Sequence, residues 1–203
     1  FERALQIGKE QQEKDLHAAA LGNLGAIYYV LGQFERAIVY HKENLEIARI
    51  TGHQHSESKA LSNLGLVYWK LGEHQRAIKY FEESLKIARA ILDIESEANA
   101  VGNIGVVYNQ IGQYQEAIGF LEQHLKLANY LDDKNGEATS QMQLGIAYLG
   151  LGKIQLSFDL LEQSKKLARS ISNQRVESDA IANLGAVSYR LGQYDSAIQY
   201  WEQ

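Results

Sequence analysis

Apolar residues recur along the chain at helical spacing, in runs separated by short polar or glycine-containing segments. One run comprises Leu61, Leu64, Val67, Tyr68 and Leu71, and the next comprises Ala77, Ile78, Phe81, Leu85, Ile87 and Ala88. Recurrence at intervals of three and four residues indicates amphipathic helices. No stretch alternates apolar and polar residues with a period of two, so we expect an all-α protein without a sheet.

This two-helix pattern returns every 40 residues without insertions. Corresponding segments begin at Gly22, Ser62, Gly102, Met142 and Ala182. The first reads GNLGAIYYVLGQFERAI and the second reads SNLGLVYWKLGEHQRAI. An exact period of this length is typical of a stacked array, in which each unit buries its apolar face against its neighbours. In the third unit we predict helices over residues 94–111 and 114–131.

Two glycine positions recur in every unit. The first set is Gly25, Gly65, Gly105, Gly145 and Gly185, and the second is Gly32, Gly72, Gly112, Gly152 and Gly192. The second set follows the first apolar run, where a left-handed glycine ends a helix without steric cost. The first set lies inside a helix, where glycine costs about 1 kcal/mol relative to alanine. Its recurrence predicts close packing against a second helix, whose small residues are Ala37, Ala77, Ala117, Ser157 and Ala197.

Polar residues precede new helical runs at a third repeated position. Asp93, Asp133 and Asn173 occupy it, and these residue types are favoured at helix N-caps. The fourth unit departs most from the others, with Gln143, Ile154, Phe158 and Lys165 at positions that hold other residue types elsewhere. We interpret those departures as local repacking, in which Ser157 and Phe158 compensate in volume; the alternative is a bend or a second contact surface.

The motif L-G-x-x-Y, with a second glycine seven residues after the first, resembles the tetratricopeptide repeat (TPR). The resemblance covers the whole chain, although the tyrosine gives way to Ser188 in the last unit and the usual repeat is shorter, at about 34 residues. This longer form is similar to the arrays of kinesin light chains, spindle-orientation adaptors and bacterial multidomain proteins. The resemblance implies a right-handed α-solenoid of antiparallel helix pairs, the TPR superhelix.

The repeat register predicts a single array over residues 1–203, a fragment of about five units that starts and ends within a second helix. Phe1, Phe81 and Trp201 share one position of the repeat. We therefore expect that the Trp201 end could stack on the Phe1 end of another molecule.

Composition argues against several classes of partner. The formal net charge is −5 and 20 Lys and Arg residues are scattered among 25 Asp and Glu residues, so we expect no nucleic-acid partner. No apolar run approaches the length of a membrane helix, so we expect no membrane association. The absence of cysteine suits a reducing compartment, and the sequence-based expectation is a cytoplasmic protein.

The resemblance implies a groove lined by first helices that takes a protein or peptide partner. Its candidate ligand residues form a carboxamide ladder and a neighbouring aromatic and cationic column. They are Asn23, Asn63, Asn103, Gln143 and Asn183, followed by Tyr29, Trp69, Asn109, Lys70 and Arg190. Carboxamides offer a donor and an acceptor to a peptide backbone, but the same side chains could instead brace neighbouring repeats. The lysine and asparagine clamp of chaperone-binding TPR proteins is absent from the corresponding positions.

No arrangement of residues predicts catalysis, so we expect a scaffold and not an enzyme. His53, His55 and Glu57 are the nearest approach to a metal site, but they lie in an inter-unit turn without a fourth ligand. We therefore predict no metal and no cofactor. The alternative function is a sensory or regulatory module within a larger bacterial regulator, which binds a signal peptide or a small molecule.

Overall fold

The computed structural model describes residues 2, 3, 6 and 14–203, and these contain α-helices and no strand. Residues 14–203 form ten helices, which are α1 (Lys14–Val30), α2 (Phe34–Thr51), α3 (Gln54–Lys70), α4 (His74–Ala90), α5 (Ile94–Gln110), α6 (Tyr114–Tyr130), α7 (Lys134–Gly150), α8 (Ile154–Ser170), α9 (Gln174–Arg190) and α10 (Tyr194–Trp201). The all-α prediction is confirmed. The predicted helices of the third unit agree with α5 and α6 to within one residue at each end.

The chain divides into two compact units, Phe1–Ala100 and Val101–Gln203. In the first, α1 packs on α2, α2 on α3 and α3 on α4, and α1 also touches α3. In the second, α6 to α10 pack in the same sequential way, and α7 also touches α9. Each unit is therefore a stack of helix pairs in which the first helices of successive pairs lie beside each other. Phe1, on which the expected end-to-end stacking depends, lies outside the described residues.

The turn inside each helix pair is closed by a left-handed glycine. Gly32, Gly72, Gly112, Gly152 and Gly192 have φ angles between 71° and 76°. In the first of these turns the amide of Gly32 donates to the carbonyl of Tyr29 and the amide of Gln33 donates to that of Tyr28. These bonds satisfy carbonyls that the end of α1 would otherwise leave unpaired. The predicted role of this glycine position is confirmed.

The turn between helix pairs also uses a left-handed residue, which the sequence does not reveal. Leu92, Asp132 and Ser172 have φ angles of 57°, 54° and 58°, and Gly52 takes the corresponding place with 70°. After Leu92, Asp132 and Ser172 the next residue caps the following helix, as predicted, whereas His53 after Gly52 makes no side-chain cap bond. The carboxylate of Asp93 accepts from the amide of Ser96 at 3.0 Å, and Asp133 and Asn173 accept from the amides of Asn135 and Val176 at 3.1 Å.

The glycine inside each first helix is the contact point of the pair. A Cβ atom at Gly65 would lie 2.7 Å from Cδ1 of Phe81, and one at Gly105 would lie 2.7 Å from Cγ of Leu121. Phe81, Leu121 and Leu161 are buried, and Ala77 and Ala117 are fully buried beside them. In the fourth pair the hydroxyl of Ser157 donates to the carbonyl of Gly145 at 2.7 Å. The predicted close packing is confirmed.

His41 occupies the position that Phe81, Leu121, Leu161 and Trp201 hold in the other pairs. Its ring packs against Gly25, is 1% exposed, and has an Nδ1 atom without a hydrogen-bond partner. Burial lowers the pKa of His41 from 6.5 to about 4, because the charged imidazole cannot be solvated there. The first pair thus has a titratable group at the centre of its packing.

Adding a methyl group at Gly65 and at Gly119 should change stability in opposite directions. Gly65→Ala places a Cβ against the buried Phe81 ring, so we expect the free energy of unfolding to fall by about 1–3 kcal/mol. Gly119 lies within α6 with no atom near its would-be Cβ. Gly119→Ala should therefore raise the free energy of unfolding by about 0.5–1 kcal/mol. Urea denaturation of both variants checks this, and similar effects at the two sites would contradict the close contact.

His41 should make the protein less stable as the pH falls. The folded-state pKa of about 4 is below the unfolded-state value of 6.5, so the unfolded chain binds more protons between these values. Stability is retained above pH 6.5 and lost toward pH 4, by about 2 kcal/mol at pH 5 from this residue alone. In His41→Leu, the difference in free energy of unfolding between pH 7 and pH 5 should shrink by about that amount. Parallel pH profiles for wild type and variant would contradict the assignment.

Candidate functional site

An open groove of about 640 Å³ lies between α1 and α3, with α2 as its floor. From α1 its lining includes Ala19, Gly22, Asn23 and Ala26, and from α3 it includes Lys59 and Asn63. The groove therefore runs between the first helices of two successive pairs, within the first compact unit. It contains two members of the predicted carboxamide ladder.

Small side chains on α1 leave the groove open. Ala26 stands where the next three units carry Leu66, Val106 and Ile146. The size of the residue at position 22 is limited by α2, because a Cβ atom on Gly22 would lie 3.0 Å from Nδ2 of Asn44. A longer side chain at either position would occupy the groove or displace its floor.

The polar lining carries cationic and carboxamide groups and no carboxylate. Lys59 is exposed, and His53 lies at the edge of the groove. Asn44 on the floor is 9% exposed, and its Oδ1 atom has no hydrogen-bond partner. In a protein whose net charge is −5, this lining is a local exception that favours a ligand with hydrogen-bond donors and negative charge.

The members of the carboxamide ladder have different surroundings. Asn23 is exposed, while Asn63 and Asn103 are half-buried. The amide of Asn183 donates to the carbonyl of Asp179 at 2.7 Å, within its own helix. Gln143 receives two bonds from Nδ2 of Asn109, at 2.8 Å to its carbonyl and 3.0 Å to Oε1. The Asn109 and Gln143 pair links neighbouring helix pairs, which is the bracing arrangement, whereas Asn23 and Asn63 face the groove.

The aromatic and cationic column lies outside this groove. The Tyr29 ring packs on Phe34 with centroids 6.0 Å apart, and burial raises the pKa of Tyr29. Nζ of Lys70 lies 4.7 Å from the centre of the Trp69 ring, as in a cation–π contact. The fifth pair has a comparable cluster.

In that pair Tyr189 packs on Tyr194 with ring centroids 5.5 Å apart. The guanidinium of Arg190 donates to the carbonyl of Leu149 at 3.0 Å. Trp201 packs against Gly185, and its Nε1 donates to the carbonyl of Ala182 at 3.0 Å while the side chain is 54% exposed. Arg190 therefore contacts the preceding helix pair, whereas Tyr189 packs within its own pair.

Side chains in and beside the histidine-rich turn make contacts that connect neighbouring parts of the fold. Nδ1 of His55 bonds a carboxylate oxygen of Asp93 at 2.6 Å, and Glu57 pairs with Arg49 at 2.8 Å. Within residues 14–203 and the three described positions before them, no group of three candidate ligands could hold a metal ion. In the same part of the chain, no helix has both the length and the apolar character needed to cross a bilayer.

A recurrent ion pair across the inter-pair turn was not recognised in the sequence. Arg49 pairs with Glu57, Arg89 with Glu97 and Arg169 with Glu177, at 2.7–2.8 Å. The recurrence of an arginine and a glutamate eight residues apart could have predicted this ion pair. The arginines are half-exposed or more, so each pair contributes at most about 1 kcal/mol.

The fold and the groove define a helical-repeat protein with a polar groove between first helices. A family model described as tetratricopeptide repeat matches residues 16–90 and 96–170. The chain therefore belongs to the tetratricopeptide repeat family, whose members are in general protein-interaction modules. The matching model describes a repeat and not a catalytic domain.

Solved structures show the same solenoid fold. BtubC (BKLC) from P. vanneervenii is similar, with a TM-score of 0.82, 18% identity, and coverage of 99% of this chain and 85% of that chain. A putative kinesin light chain from Podosopora anserina matches with a TM-score of 0.74, 23% identity, and 91% coverage of each chain. A Rap protein complexed with competence and sporulation factor matches with a TM-score of 0.79 and 16% identity, over 92% of this chain and 52% of that chain. A comparison with curated protein sequences found no match.

Removing the bracing amide should cost stability, whereas removing a groove amide should not. Asn109→Ala deletes two hydrogen bonds of a residue that is 7% exposed, so we expect the free energy of unfolding to fall by about 1–2 kcal/mol. Asn23→Ala changes an exposed side chain and should stay within about 0.5 kcal/mol of wild type. Urea denaturation measures both, and an equal loss at Asn23 would show that this amide also supports the fold.

Proposed function

We propose that the protein is an interaction module that binds an extended segment of a protein partner in the groove between α1 and α3. The groove itself carries the proposal, because its volume of about 640 Å³ lies within the range of ligand-binding clefts. The family membership supports a protein or peptide as the ligand.

Asn23 and Asn63 are the residues that we assign to backbone recognition. They project into one groove from two successive first helices, and each offers a donor and an acceptor to a peptide group. The small side chains of Ala19, Gly22 and Ala26 let the peptide backbone approach α1 closely. Lys59 then selects for an acidic side chain, since the lining of the groove contains no carboxylate that would neutralise it.

The remaining candidate residues have lesser roles in this proposal. Asn103 is half-buried in α5, at the position equivalent to Asn63, and belongs to the second compact unit, so we do not assign it to this groove. Trp69 and Lys70 end α3, outside the groove, where they would contact a flanking part of a partner. Gln143, Asn109, Asn183, Tyr29 and Arg190 already have the contacts described above, so we assign them to structure first.

The alternative function is a sensory or regulatory module. The similarity to a Rap protein favours it, because that protein has a similar fold and its structure holds competence and sporulation factor. The two functions differ in the ligand they need: a segment of a protein partner in the first case and a signal peptide or small molecule in the second.

Loss of both groove amides should weaken peptide binding without unfolding the protein. We would select nine-residue peptides from a displayed random library on the wild-type protein and measure their dissociation constants by calorimetry. We expect acidic peptides, and we expect Asn23→Ala/Asn63→Ala to bind them at least about tenfold more weakly, since two hydrogen bonds contribute roughly 1–3 kcal/mol.

Two further variants make that experiment specific to the groove. Ala26→Leu introduces the residue that the next unit carries and should block binding by filling the groove. Asn183→Ala removes a carboxamide at the same repeat position, outside the groove, and should bind like wild type. Selected peptides that bind all four proteins equally would place the binding surface elsewhere.

A further inference from the structure

A second cavity, of about 420 Å³, lies in the other compact unit among α8, α9 and α10. Its lining includes Phe158 and Lys165 of α8, Ser188 of α9, and Ser196, Gln199 and Tyr200 of the last helix. None of these residues belongs to the groove between α1 and α3. The cavity is therefore a separate feature of the molecule.

Three departures from the repeat pattern meet in this cavity. Ser188 stands where the four preceding units have Tyr28, Tyr68, Tyr108 and Tyr148. Phe158 replaces an isoleucine that the first three units share, and Lys165 replaces a leucine. Substitutions that the sequence alone presents as scattered are thus neighbours in space.

The tyrosine one unit earlier shows what normally fills this space. Tyr148 packs in a cluster with Ile118, Leu125 and Leu160. Those three positions correspond, 40 residues later, to Phe158, Lys165 and Tyr200. The cavity is therefore the site of an absent tyrosine ring, bordered by the residues that would surround that ring.

The walls retain the means to hold an aromatic ring. In the first two pairs the repeat tyrosine stacks on a partner, Tyr28 on Tyr40 and Tyr68 on Tyr80, with ring centroids 5.3 Å apart. Tyr200 is the equivalent partner beside Ser188, and Phe158 adds a second aromatic wall. Nζ of Lys165 lies 5.5 Å from the centre of the Tyr200 ring, so a cation is also close to any ring stacked there.

The floor of the cavity contains a buried hydroxyl group. Ser188 is 2% exposed and lines the cavity. Its hydroxyl offers both a hydrogen-bond donor and an acceptor to an occupant. Ser196 and Gln199 at the opening add donors and acceptors. An occupant of this cavity would therefore have an aromatic face and a hydroxyl group.

We propose that the cavity beside Ser188 binds a free small molecule that contains a phenolic ring. The ring takes the place of the missing tyrosine, stacks on Tyr200 beside Phe158, and exchanges a hydrogen bond with Ser188 or the polar groups at the opening. Such a ligand would complete the packing between α8 and the last helix pair, so its binding stabilises this unit. The site shares no residue with the peptide groove. It gives the second compact unit, Val101–Gln203, a ligand of a different chemical class.

The test uses p-cresol, which is the tyrosine side chain without its backbone, and 4-methylcyclohexanol, which lacks the aromatic face. We expect saturable binding of p-cresol to the wild-type protein, with a dissociation constant on the order of 1 mM or lower for so small a ligand. Chemical-shift changes in a two-dimensional amide spectrum should centre on residues 188, 196 and 200. 4-Methylcyclohexanol should bind at least about tenfold more weakly, since it cannot stack.

Ser188→Tyr restores the residue of the other units and serves as the matched variant. It should raise the midpoint of thermal unfolding and weaken p-cresol binding at least tenfold. Ser188→Leu fills part of the space and should give an intermediate affinity, which keeps the test valid if the tyrosine variant misfolds. Equal binding of p-cresol to wild type and both variants, or no saturable binding to the wild type, would overturn the proposal.

Discussion

The close contact between the two helices of each pair is the constraint on which the rest of the structure depends. A glycine on the first helix receives a large side chain from the second, and a small residue four positions before that side chain completes the contact. Because the glycine has no Cβ, the helices approach closely enough for the large side chain to be fully buried in four of the pairs. The groove and the cavity lie beside such contacts, where single residues such as Ala26 and Ser188 differ from their counterparts in other repeats.

The sequence predicts the fold well where one residue type has one physical role. The glycines with positive φ, the glycines at helix contacts and the caps at Asp93, Asp133 and Asn173 are of this kind. The turns between pairs could not be predicted, because Leu92, Asp132 and Ser172 adopt the same left-handed conformation with unrelated side chains. Neighbouring contacts determine the backbone there, and a single residue carries no signal of it.

The candidate site was harder to predict than the fold. The carboxamide ladder is uniform in the sequence, yet Asn109 engages Gln143 while Asn23 and Asn63 line a groove. What separates them is the size of residues elsewhere, such as Ala26 and its larger counterparts. The departures at Phe158 and Lys165 were interpreted as local repacking and Ser188 as a break in the tyrosine motif, but only the spatial arrangement shows that all three border one cavity. A pattern along the chain cannot give the volume that several distant side chains leave between them.

The matching of side chains within pairs also determines where such a chain can be cut and rejoined. Asn44 and His124, which are large, pack against the glycines Gly22 and Gly102. In the pairs that carry the larger Ser62 and Met142, the facing position holds the smaller Ser84 and Ser164. A gene duplication or deletion that breaks between pairs, near residues 52, 92, 132 or 172, keeps each large residue with its own small partner. One that breaks inside a pair could join a helix bearing Met142 to one bearing His124 and overfill the core. The inter-pair turns are therefore the joints at which arrays of this kind can grow or shrink during evolution without being repacked.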